Sequence, residues 1–414
     1  MDETTAEVAI VGGGFAGGAL AVRLARAGLS VTVLEQSAEY RDRVRGEYMP
    51  PWGCAELNRS GLLDVVLRAE GTMAARSVPY GDSMAPDVAE AAALDTSVLV
   101  PGAAGMLNLS HPGACRELMD VASSAGAEVV RGVRRVQVTA GPQPAVSYEH
   151  DLGERIVHAR MVVGADGRNS TVRRQLGIPL AATGPRTFAV GLLVDGLTGW
   201  PASTNSIGTC EDVVFAVFPR RNSCARIYLF WDPRAPRRFA GSGAGDRAVQ
   251  RLATLTCFPD AVTFQHARPR PGWASFPMED TWSETPYVPG AVLIGDAAGC
   301  SDPIAGQGLT VAIRDARLVG DALLGERSRG PGTFEPYAVE RAERMRRLRA
   351  TAEAITRLRA DFTPDGRRRR TAALARFAAD PRARLPIAAA LIGPDALPPE
   401  AFTRAAADRM LALP

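Results

Sequence analysis

Three glycines near the start of the chain have the spacing of a phosphate-binding turn. Gly12, Gly14 and Gly17 follow an apolar run at residues 8–11 and open a stretch with the apolar spacing of a helix. Gly12 permits a tight turn, Gly14 permits a pyrophosphate to approach the backbone, and Gly17 permits the helix to pack closely on the strand. This arrangement predicts a strand, a phosphate turn and a helix in that order.

A carboxylate follows at the place where a ribose would lie. A second apolar run, residues 31–34, ends at Glu35, about twenty residues beyond the glycines. In such a unit the acid accepts hydrogen bonds from the adenosine ribose and disfavours a 2′-phosphate. The motif therefore predicts FAD or NAD rather than NADP. The alternative is a structural βαβ unit with an incidental glycine turn.

Two later stretches also join an apolar strand pattern to polar residues. Residues 161–164 run into Asp166, and residues 291–294 run into Asp296 and then a loop at 300–308. Carboxylates at the carboxyl ends of parallel strands lie where α/β proteins bind ligands. The glycines of the loop would direct backbone N–H groups at a ligand in front of the next helix, whose N-terminus carries partial positive charge.

The composition limits the class of protein. The chain has 414 residues, of which 46% are hydrophobic, which suits two domains or one large α/β domain with an insertion. No apolar run reaches the roughly eighteen residues of a membrane span, and the acidic N-terminus lacks a signal-peptide pattern. We therefore expect a cytoplasmic protein. The net charge of +3 gives no reason to expect nucleic acid as a partner.

The reactive side chains exclude several mechanisms. The six cysteines include no C-x-x-C pair and the four histidines no ligand-spaced pair, so we expect free thiols in a reducing compartment and no metal site. The 48 basic residues are all arginine. Schiff-base catalysis and a Walker A phosphate site are excluded because both need lysine.

Apolar periodicity and turn residues predict the remaining elements. The expected helices are at 62–69, 110–124, 246–255 and 309–324, and the expected strands at 128–131, 133–139, 161–164 and 291–294, with a hairpin from 145 to 159. Residues 50–53 predict a turn, and 71–105 are expected to be irregular. Short alternating runs predict an antiparallel sheet with strands at 188–194, 213–218, 224–231 and 262–267.

The C-terminal segment from 336 is predicted to be mostly helical. Its apolar stripe consists of Met345, Leu348, Ala352, Ile355 and Leu358. Five arginines between 341 and 349 predict a solvated face, with an anionic partner as the alternative. Residues 367–370, which are all arginine, predict an exposed basic turn.

Three motifs in this order resemble the single-component FAD-dependent aromatic hydroxylases, the p-hydroxybenzoate hydroxylase-like flavoprotein monooxygenases. The motifs are Gly12-x-Gly14-x-x-Gly17, Gly164-Ala165-Asp166-Gly167-x-x-Ser170-x-Val172-Arg173 and Gly295-Asp296-Ala297-Ala298…Pro303-x-x-Gly306-Gln307-Gly308. The likeness covers residues 5–180 and 285–325.

The resemblance implies an α/β fold with three parts. A discontinuous, Rossmann-like FAD-binding domain would comprise residues 1–75, 106–180 and 285–335. A mainly antiparallel β-sheet substrate domain, residues 76–105 and 181–284, would be inserted into it. A helical region, residues 336–414, would follow.

The resemblance also implies which residues hold FAD. The ADP half would be held by Gly12, Gly14, Gly17 and Glu35, with Phe15, Ala16, Gln36 and Val136 as further cofactor-binding residues. Arg45 would meet the diphosphate, and His111 and Arg116 would form a polar pair at a helix start. Asp166 belongs to a motif linked to FAD and NAD(P)H. Asp296 would bond the ribityl chain, with Gly295 as a further cofactor-binding residue, and the ring would lie along Pro303, Gly306, Gln307 and Gly308.

Two positions depart from the family pattern. His111 stands where members often have glutamine or arginine, and Gly299 stands where they often have histidine.

The implied activity is that of an FAD-dependent monooxygenase. NAD(P)H would reduce FAD as a transient co-substrate, and a flavin C4a-hydroperoxide in a dry pocket would transfer one oxygen atom from O2. The substrate would be an apolar aromatic or olefinic small molecule, in secondary metabolism. Aromatic residues of the sheet region are expected to be mostly core, with some lining the pocket: Phe215, Phe218, Tyr228, Phe230 and Trp231. The sequence indicates no catalytic acid or base.

Several alternatives stay open. A separate flavin reductase would be a different electron source. A prenyl-type reductase or dehydrogenase and a flavin-dependent halogenase share the fold. The halogenase is disfavoured because the chain has no lysine and lacks a Trp-x-Trp-x-Ile-Pro segment. A non-catalytic flavin-binding or ligand-binding protein is the last alternative.

Overall fold

The computed structural model describes residues 2–42, 44, 46–151, 153–235, 237–325, 330 and 332–413. The strands are β1 Asp2–Val11, β2 Val31–Glu35, β3 Tyr48–Met49, β4 Thr72–Ala74, β5 Arg76–Val78, β6 Leu94–Asp95, β7 Met106–Asn108, β8 Glu128–Arg131, β9 Arg134–Thr139, β10 Ala145–His150, β11 Gly153–Gly164, β12 Ala181–Ala182, β13 Thr187–Asp195, β14 Thr204–Cys210, β15 Val213–Pro219, β16 Ala225–Trp231, β17 Arg268–Pro269, β18 Ala274–Met278, β19 Thr281–Trp282, β20 Tyr287–Val288 and β21 Ala291–Leu293.

The α-helices are α1 Phe15–Arg26, α2 Pro51–Arg59, α3 Leu63–Arg68, α4 Pro86–Ala91, α5 His111–Ser124, α6 Thr171–Gln175, α7 Ala244–Ala253, α8 Gly308–Leu324, α9 Glu335–Arg359, α10 Pro364–Ala379, α11 Leu385–Ile392 and α12 Arg404–Leu411. Short 3-10 helices include Gly295–Ala298 and Pro303–Ala305. In the part of the chain that the structure describes, no helix has the length and apolar character of a membrane span.

The strands that carry the three motifs are neighbours in one sheet. The sheet runs β20-β21-β11-β1-β2-β8, with β10 against β11 and β9 against β10. β21, β11, β1, β2 and β8 are parallel, and their register pairs Val11 with both Gly164 and Leu34, and Gly164 with Leu293. One edge of the sheet therefore carries the glycine turn, Glu35 and the two later motifs. Their position after strand patterns predicted this arrangement.

Both faces of this sheet are buried, which explains its apolar strands. Ile10 packs with Leu20 of α1, Leu118 of α5 and Ile313 of α8 on one face. The next residue, Val11, belongs to a separate apolar cluster on the other face. Successive residues of a strand point to opposite faces, so β1 needs apolar residues at every position.

A second sheet runs β17-β13-β16-β15-β14-β5-β6, with β18 against β13. All its pairs are antiparallel except β14 with β5. Because β4, β5, α4 and β6 lie in 71–105, the predicted irregular segment is wrong. The predicted strand at 262–267 is also wrong: it makes one bridge, from Thr263 to Thr198, and Phe264 fills the core from a loop.

Two predicted turns are helices. In the predicted turn at 50–53, Pro50 is the N-cap of α2 and the other three residues begin the helix. Pro51 suits the first helical position because the N–H that it lacks has no partner there. Residues 367–370 lie in α10, which Thr363 caps by accepting a hydrogen bond from the Gly366 N–H over 3.1 Å. Arg370 is buried rather than exposed.

The apolar stripe of α9 is confirmed. Its five members, Met345, Leu348, Ala352, Ile355 and Leu358, are all buried. The predicted solvated arginine face is wrong for Arg341 and Arg344, each 1% exposed. These two arginines meet Asp315 of α8, so burial of charge is balanced within the protein.

Candidate active site

The glycine turn forms an open cradle in front of α1. Gly12 has φ +106°, and a Cβ there would lie 2.4 Å from the Ala165 oxygen. A Cβ on Gly17 would lie 1.9 Å from the Gly12 oxygen, whereas one on Gly14 would meet no atom within 4 Å. Gly14 is the N-cap of α1, without a side-chain cap, so the open space lies beside the N-terminus of the helix. This cradle fits a diphosphate.

Glu35 is buried and points back at the glycine turn. Its Oε2 accepts a hydrogen bond from the Gly13 N–H over 2.8 Å, and its Oε1 accepts one from the Ser37 N–H over 2.7 Å. The next residue, Gln36, is exposed. Val136 on β9 is half-buried against the apolar cluster that contains Leu34. Contact of these residues with a cofactor stays a prediction.

Asp166 is held at the start of α6. Its carboxylate accepts hydrogen bonds from the Ser170 hydroxyl over 2.5 Å and from the Thr171 and Val172 N–H groups over 2.7 and 3.1 Å. The preceding Ala165 lies against Gly12. The first and second motifs are therefore in contact. The carboxylate of Asp166 accepts its hydrogen bonds from residues at the start of α6.

The helix α5 begins at His111 and Ser110 is its N-cap, as the sequence predicted. Its ring lies 6.5 Å from that of Phe15, between ring centroids, and its Nδ1 lies 3.6 Å from Cys115 Sγ. Arg116 is exposed. Arg45, the predicted diphosphate ligand, lies outside the described residues.

The third motif lines a cavity of about 330 Å³. The predicted flavin-binding residues in its wall are Asp296, Pro303, Gly306, Gln307 and Gly308. Gly308 begins α8, and a Cβ there would meet nothing within 4 Å. The helix start therefore presents backbone N–H groups and partial positive charge to the cavity.

Gln307 is buried and fixed on several sides. Its Oε1 accepts a hydrogen bond from Trp52 Nε1 over 2.9 Å, and its Nε2 donates to the Ala390 oxygen over 3.0 Å and to the Ala305 oxygen. The loop in front of α8 is thereby tied to α2 and to α11.

The opposite wall is the aromatic face of the second sheet. Its lining residues are Ile207, Ala216, Phe218, Tyr228, Phe230, Ala274 and Phe276. Because strand residues alternate between faces, Phe215 and Trp231 point away from the cavity into a separate core. The expectation that some aromatics line a pocket is confirmed for Phe218, Tyr228 and Phe230.

Tyr228 brings a hydroxyl group to this wall. Burial raises the pKa of Tyr228, Arg226 opposes the rise, and Glu47 adds to it, so that the pKa lies well above its ordinary value. The phenol therefore keeps its proton at neutral pH and suits hydrogen bonding rather than general-base catalysis.

Arg168 and Cys300 lie near Asp296 in the cavity wall. Burial lowers the pKa of Arg168, but Cys300 and Asp296 raise it above its ordinary value. Burial raises the pKa of the Cys300 thiol, and Asp296 adds to the rise. Neither Arg168 nor Cys300 is predicted by sequence spacing to be a site residue, although Arg168 follows Asp166 in the same motif.

A buried ion pair joins the second sheet to the loop before β3. Arg226 of β16 donates from Nε to Glu47 Oε2 over 2.9 Å and from Nη2 to Asp42 Oδ2 over 2.5 Å. Arg226 and Glu47 are each 1% exposed. This contact spans 179 residues, which is why sequence spacing gave no sign of it.

The loop of the third motif contains a buried carboxylate, Asp302, that lies close to a second one, Asp280. The Asp302 N–H donates to Asp280 Oδ1 over 2.8 Å, and Arg186 Nη1 lies 2.5 Å from Asp280 Oδ2 and 3.6 Å from Asp302 Oδ2. Burial raises the pKa of Asp302 to about 6; the Ile304 N–H opposes the rise and Asp280 adds to it. No cluster of residues that could hold a metal ion occurs among the described residues.

The comparisons with known proteins agree with this geometry. The model of the FAD binding domain family FAD_binding_3 matches residues 5–352. The chain is 27% identical to the 3-demethoxyubiquinol 3-hydroxylase of Escherichia coli (strain K12) over 366 residues, 84% of this chain and 87% of that protein. It is also 27% identical to the menaquinone reductase of Mycolicibacterium smegmatis over 347 residues, 77% of this chain and 76% of that protein.

A solved structure gives the same result for the fold. The p-nitrophenol 4-monooxygenase PnpA from Pseudomonas putida DLL-E4 superposes with a TM-score of 0.77 at 20% identity, over 92% of this chain and 96% of that chain. The chain belongs to the FAD binding domain family. It is an FAD-dependent oxidoreductase of the monooxygenase and hydroxylase class.

Proposed function

We propose that bound FAD and an apolar small molecule meet in the 330 Å³ cavity, where one oxygen atom of O2 enters the molecule. The observation that supports this is the composition of the two walls. One wall contains the predicted flavin-binding loop, and the other is the aromatic face of the second sheet. A cofactor-binding loop that faces an apolar wall has the arrangement expected of a substrate pocket.

The overall reaction balances with NAD(P)H as the electron donor. Bound FAD, once reduced, supplies the activation of O2. Substrate, O2, NAD(P)H and one proton would give the hydroxylated or epoxidised product, NAD(P)⁺ and water. A separate flavin reductase would deliver the same two electrons by another route.

The chain's own residues would bind, orient and exclude water. Asp296 would hold the ribityl chain, and the N–H groups at the start of α8 would stabilise negative charge on the ring. Phe218 and Phe230 would exclude water from the reacting atoms. Tyr228, protonated at neutral pH, would donate or accept a hydrogen bond at a polar edge of the substrate.

The substrate class follows from the apolar wall. Among the described residues, the cavity side formed by the second sheet has no charged side chain. A charged group that lay against this side would lose its hydration without a compensating partner. We therefore propose an aromatic or olefinic compound whose part against this side is neutral. The named substrates of the compared proteins, a ubiquinol, a menaquinone and p-nitrophenol, are ring compounds.

A second candidate is reduction of a prenyl-type compound without O2. The similarity to a menaquinone reductase favours it. The two functions differ in their need for oxygen, because a monooxygenase has no route to product under anaerobic conditions.

The test is product formation with and without O2. The purified protein is loaded with FAD and given NADH or NADPH and a library of neutral aromatic and olefinic compounds. Our proposal expects product, and substrate-stimulated NAD(P)H oxidation, only in air. Product in equal yield without O2 would support the reductase instead. No product from any compound, with or without O2 and even with an added flavin reductase, would contradict both.

A further inference from the structure

Arg341 of α9 contacts the backbone of the loop that carries Asp296. Its Nη2 donates to the Gly295 and Gly299 oxygens over 3.2 and 2.8 Å, and its Nη1 donates to the Ala298 oxygen over 3.1 Å. The loop is a single 3-10 turn, Gly295–Ala298. One guanidinium group thus binds carbonyls at both ends of the turn.

Asp315 of α8 completes this arrangement from the other side. Its Oδ2 accepts hydrogen bonds from Arg341 Nε and from the Gly295 N–H, both over 2.9 Å. Its Oδ1 accepts one from Arg344 Nη2 over 2.7 Å. Burial would raise the pKa of Asp315, but Arg341 and Arg344 lower it below its ordinary value. The carboxylate is therefore charged and accepts from side chain and loop together.

The turn has a conformation that needs support. Gly295 has φ +59° and Gly299 has φ +112°, and a Cβ on Gly299 would lie 2.4 Å from the Thr281 oxygen. Carbonyls in such a short turn have few partners within the turn itself. Each buried carbonyl without a partner would be costly. The Ala298 oxygen also accepts a hydrogen bond from the Ser283 N–H over 3.1 Å, and Arg341 adds donors for the Gly295 and Gly299 oxygens.

We propose that Arg341, oriented by Asp315, is a positioning residue that fixes the Gly295–Gly299 turn so that the Asp296 carboxylate faces the cofactor. The inference rests on the proposed function of the cavity. It assigns a role in cofactor binding to α9, which begins at Glu335, 37 residues after Ala298, the last residue of the 3-10 turn. The fork of a guanidinium is required because a lysine ammonium has a different geometry and cannot bind the same four acceptors.

Arg344 offers a matched control. Like Arg341, it is 1% exposed and bonded to Asp315, but its other partner is Glu340 of its own helix, over 3.0 Å. Arg341→Lys and Arg344→Lys therefore make the same chemical change in the same buried cluster. Only the first one removes contacts with the turn.

The experiment measures the FAD dissociation constant of each full-length apoprotein by flavin fluorescence, the visible circular dichroism of bound FAD, and the melting temperature. We expect Arg341→Lys to raise the dissociation constant at least about tenfold, the effect of losing charge-assisted hydrogen bonds, and to change the flavin dichroism. Arg344→Lys should lower the melting temperature while leaving the dissociation constant within about threefold and the dichroism unchanged.

Equal effects of the two variants on FAD affinity, or an unchanged affinity in Arg341→Lys, would overturn the inference. If Arg341→Lys does not fold, Asp315→Asn is measured instead, since it keeps the shape and removes the charge that orients Arg341. The inference then expects weaker FAD binding and altered dichroism, and unchanged values would overturn it. If the wild-type protein itself binds no FAD, it is the proposed function that fails.

Discussion

The Gly13 N–H donates a hydrogen bond to Oε2 of Glu35 over 2.8 Å. The first glycine motif and the acid after the second strand are thus joined directly, across 22 residues of sequence. The contact holds the buried carboxylate at the edge of the open cradle, where an adenosine ribose would have to lie.

Replacing Glu35 by alanine should weaken FAD binding. The variant loses the acceptor proposed for the ribose and leaves the buried Gly13 N–H without its partner. We expect the FAD dissociation constant to rise by roughly 10- to 100-fold, measured by fluorescence titration of the apoprotein. Glu39→Ala, which removes a carboxylate that is exposed nearby, is the control. An unchanged constant in Glu35→Ala would disprove the ribose assignment.

Replacing Asp296 by alanine should cause loss of flavin during purification. Asp296 lies in the cavity wall with Gly308, and its carboxylate is the proposed ribityl ligand. We expect at least about tenfold weaker binding, with Asp296→Asn intermediate because the amide keeps one acceptor oxygen. The ratio of flavin to protein absorbance measures the effect. Full flavin content in both variants would rule out the assignment.

The Asp302 carboxyl should make stability depend on pH. Its folded pKa, about 6, exceeds the ordinary value of 3.8, so between these values the folded state binds more protons than the unfolded state. The stabilisation that the Asp302 carboxyl contributes is therefore fully present at low pH and is lost as the pH rises through about 4 to 6.

Asp302→Asn should remove that dependence. The unfolding free energy of the variant minus that of the wild type should rise by at most about 3 kcal/mol between about pH 4 and pH 7. Denaturant unfolding at both pH values measures this gain. Asp260→Asn, at an exposed position, should give no such difference. If this difference were larger at pH 4 than at pH 7, the predicted direction of the pH dependence would be wrong.

Enlarging Ala216 should narrow the range of substrates. Ala216 lies in the cavity wall, whereas its neighbour Val217 lies in the core on the other face of β15. Ala216→Leu should lower kcat/KM for the larger accepted substrates at least about tenfold and leave the FAD dissociation constant nearly unchanged.

Val217→Leu is the matched control for this change. It should cost about 1–3 kcal/mol of stability through overpacking but should not alter which substrates are accepted. The same shift of substrate range in both variants would mean that the cavity is not the substrate site.

Local signals predicted which motifs meet at one edge of the first sheet. The glycine spacing, the acid after a second strand and the strand-to-loop patterns at Asp166 and Asp296 each lie within one short stretch. Parallel strands bring the ends of such stretches to one edge, so their proximity followed from the fold class. The division of the chain into domains at the stated boundaries stays a prediction.

Contacts between distant stretches could not be predicted in the same way. Arg226 of the second sheet meets Glu47 of the loop before β3, and Arg341 of α9 meets Asp315 of α8. In α9 the arginines were assigned to solvent because charged side chains are rarely buried. A usable signal was present: Arg341 and Arg344 have the helical spacing of the apolar stripe that continues through Leu348, and such a position predicts burial with a partner.

Oxygen transfer can be tested most directly with isotopically labelled dioxygen. The FAD-loaded protein is given NAD(P)H, a substrate found in the library and labelled O2 in unlabelled water, and the product is analysed by mass spectrometry. Our account predicts one labelled oxygen atom in each product molecule and the other in water. Product that forms without label, or that takes its oxygen from labelled water, would contradict it.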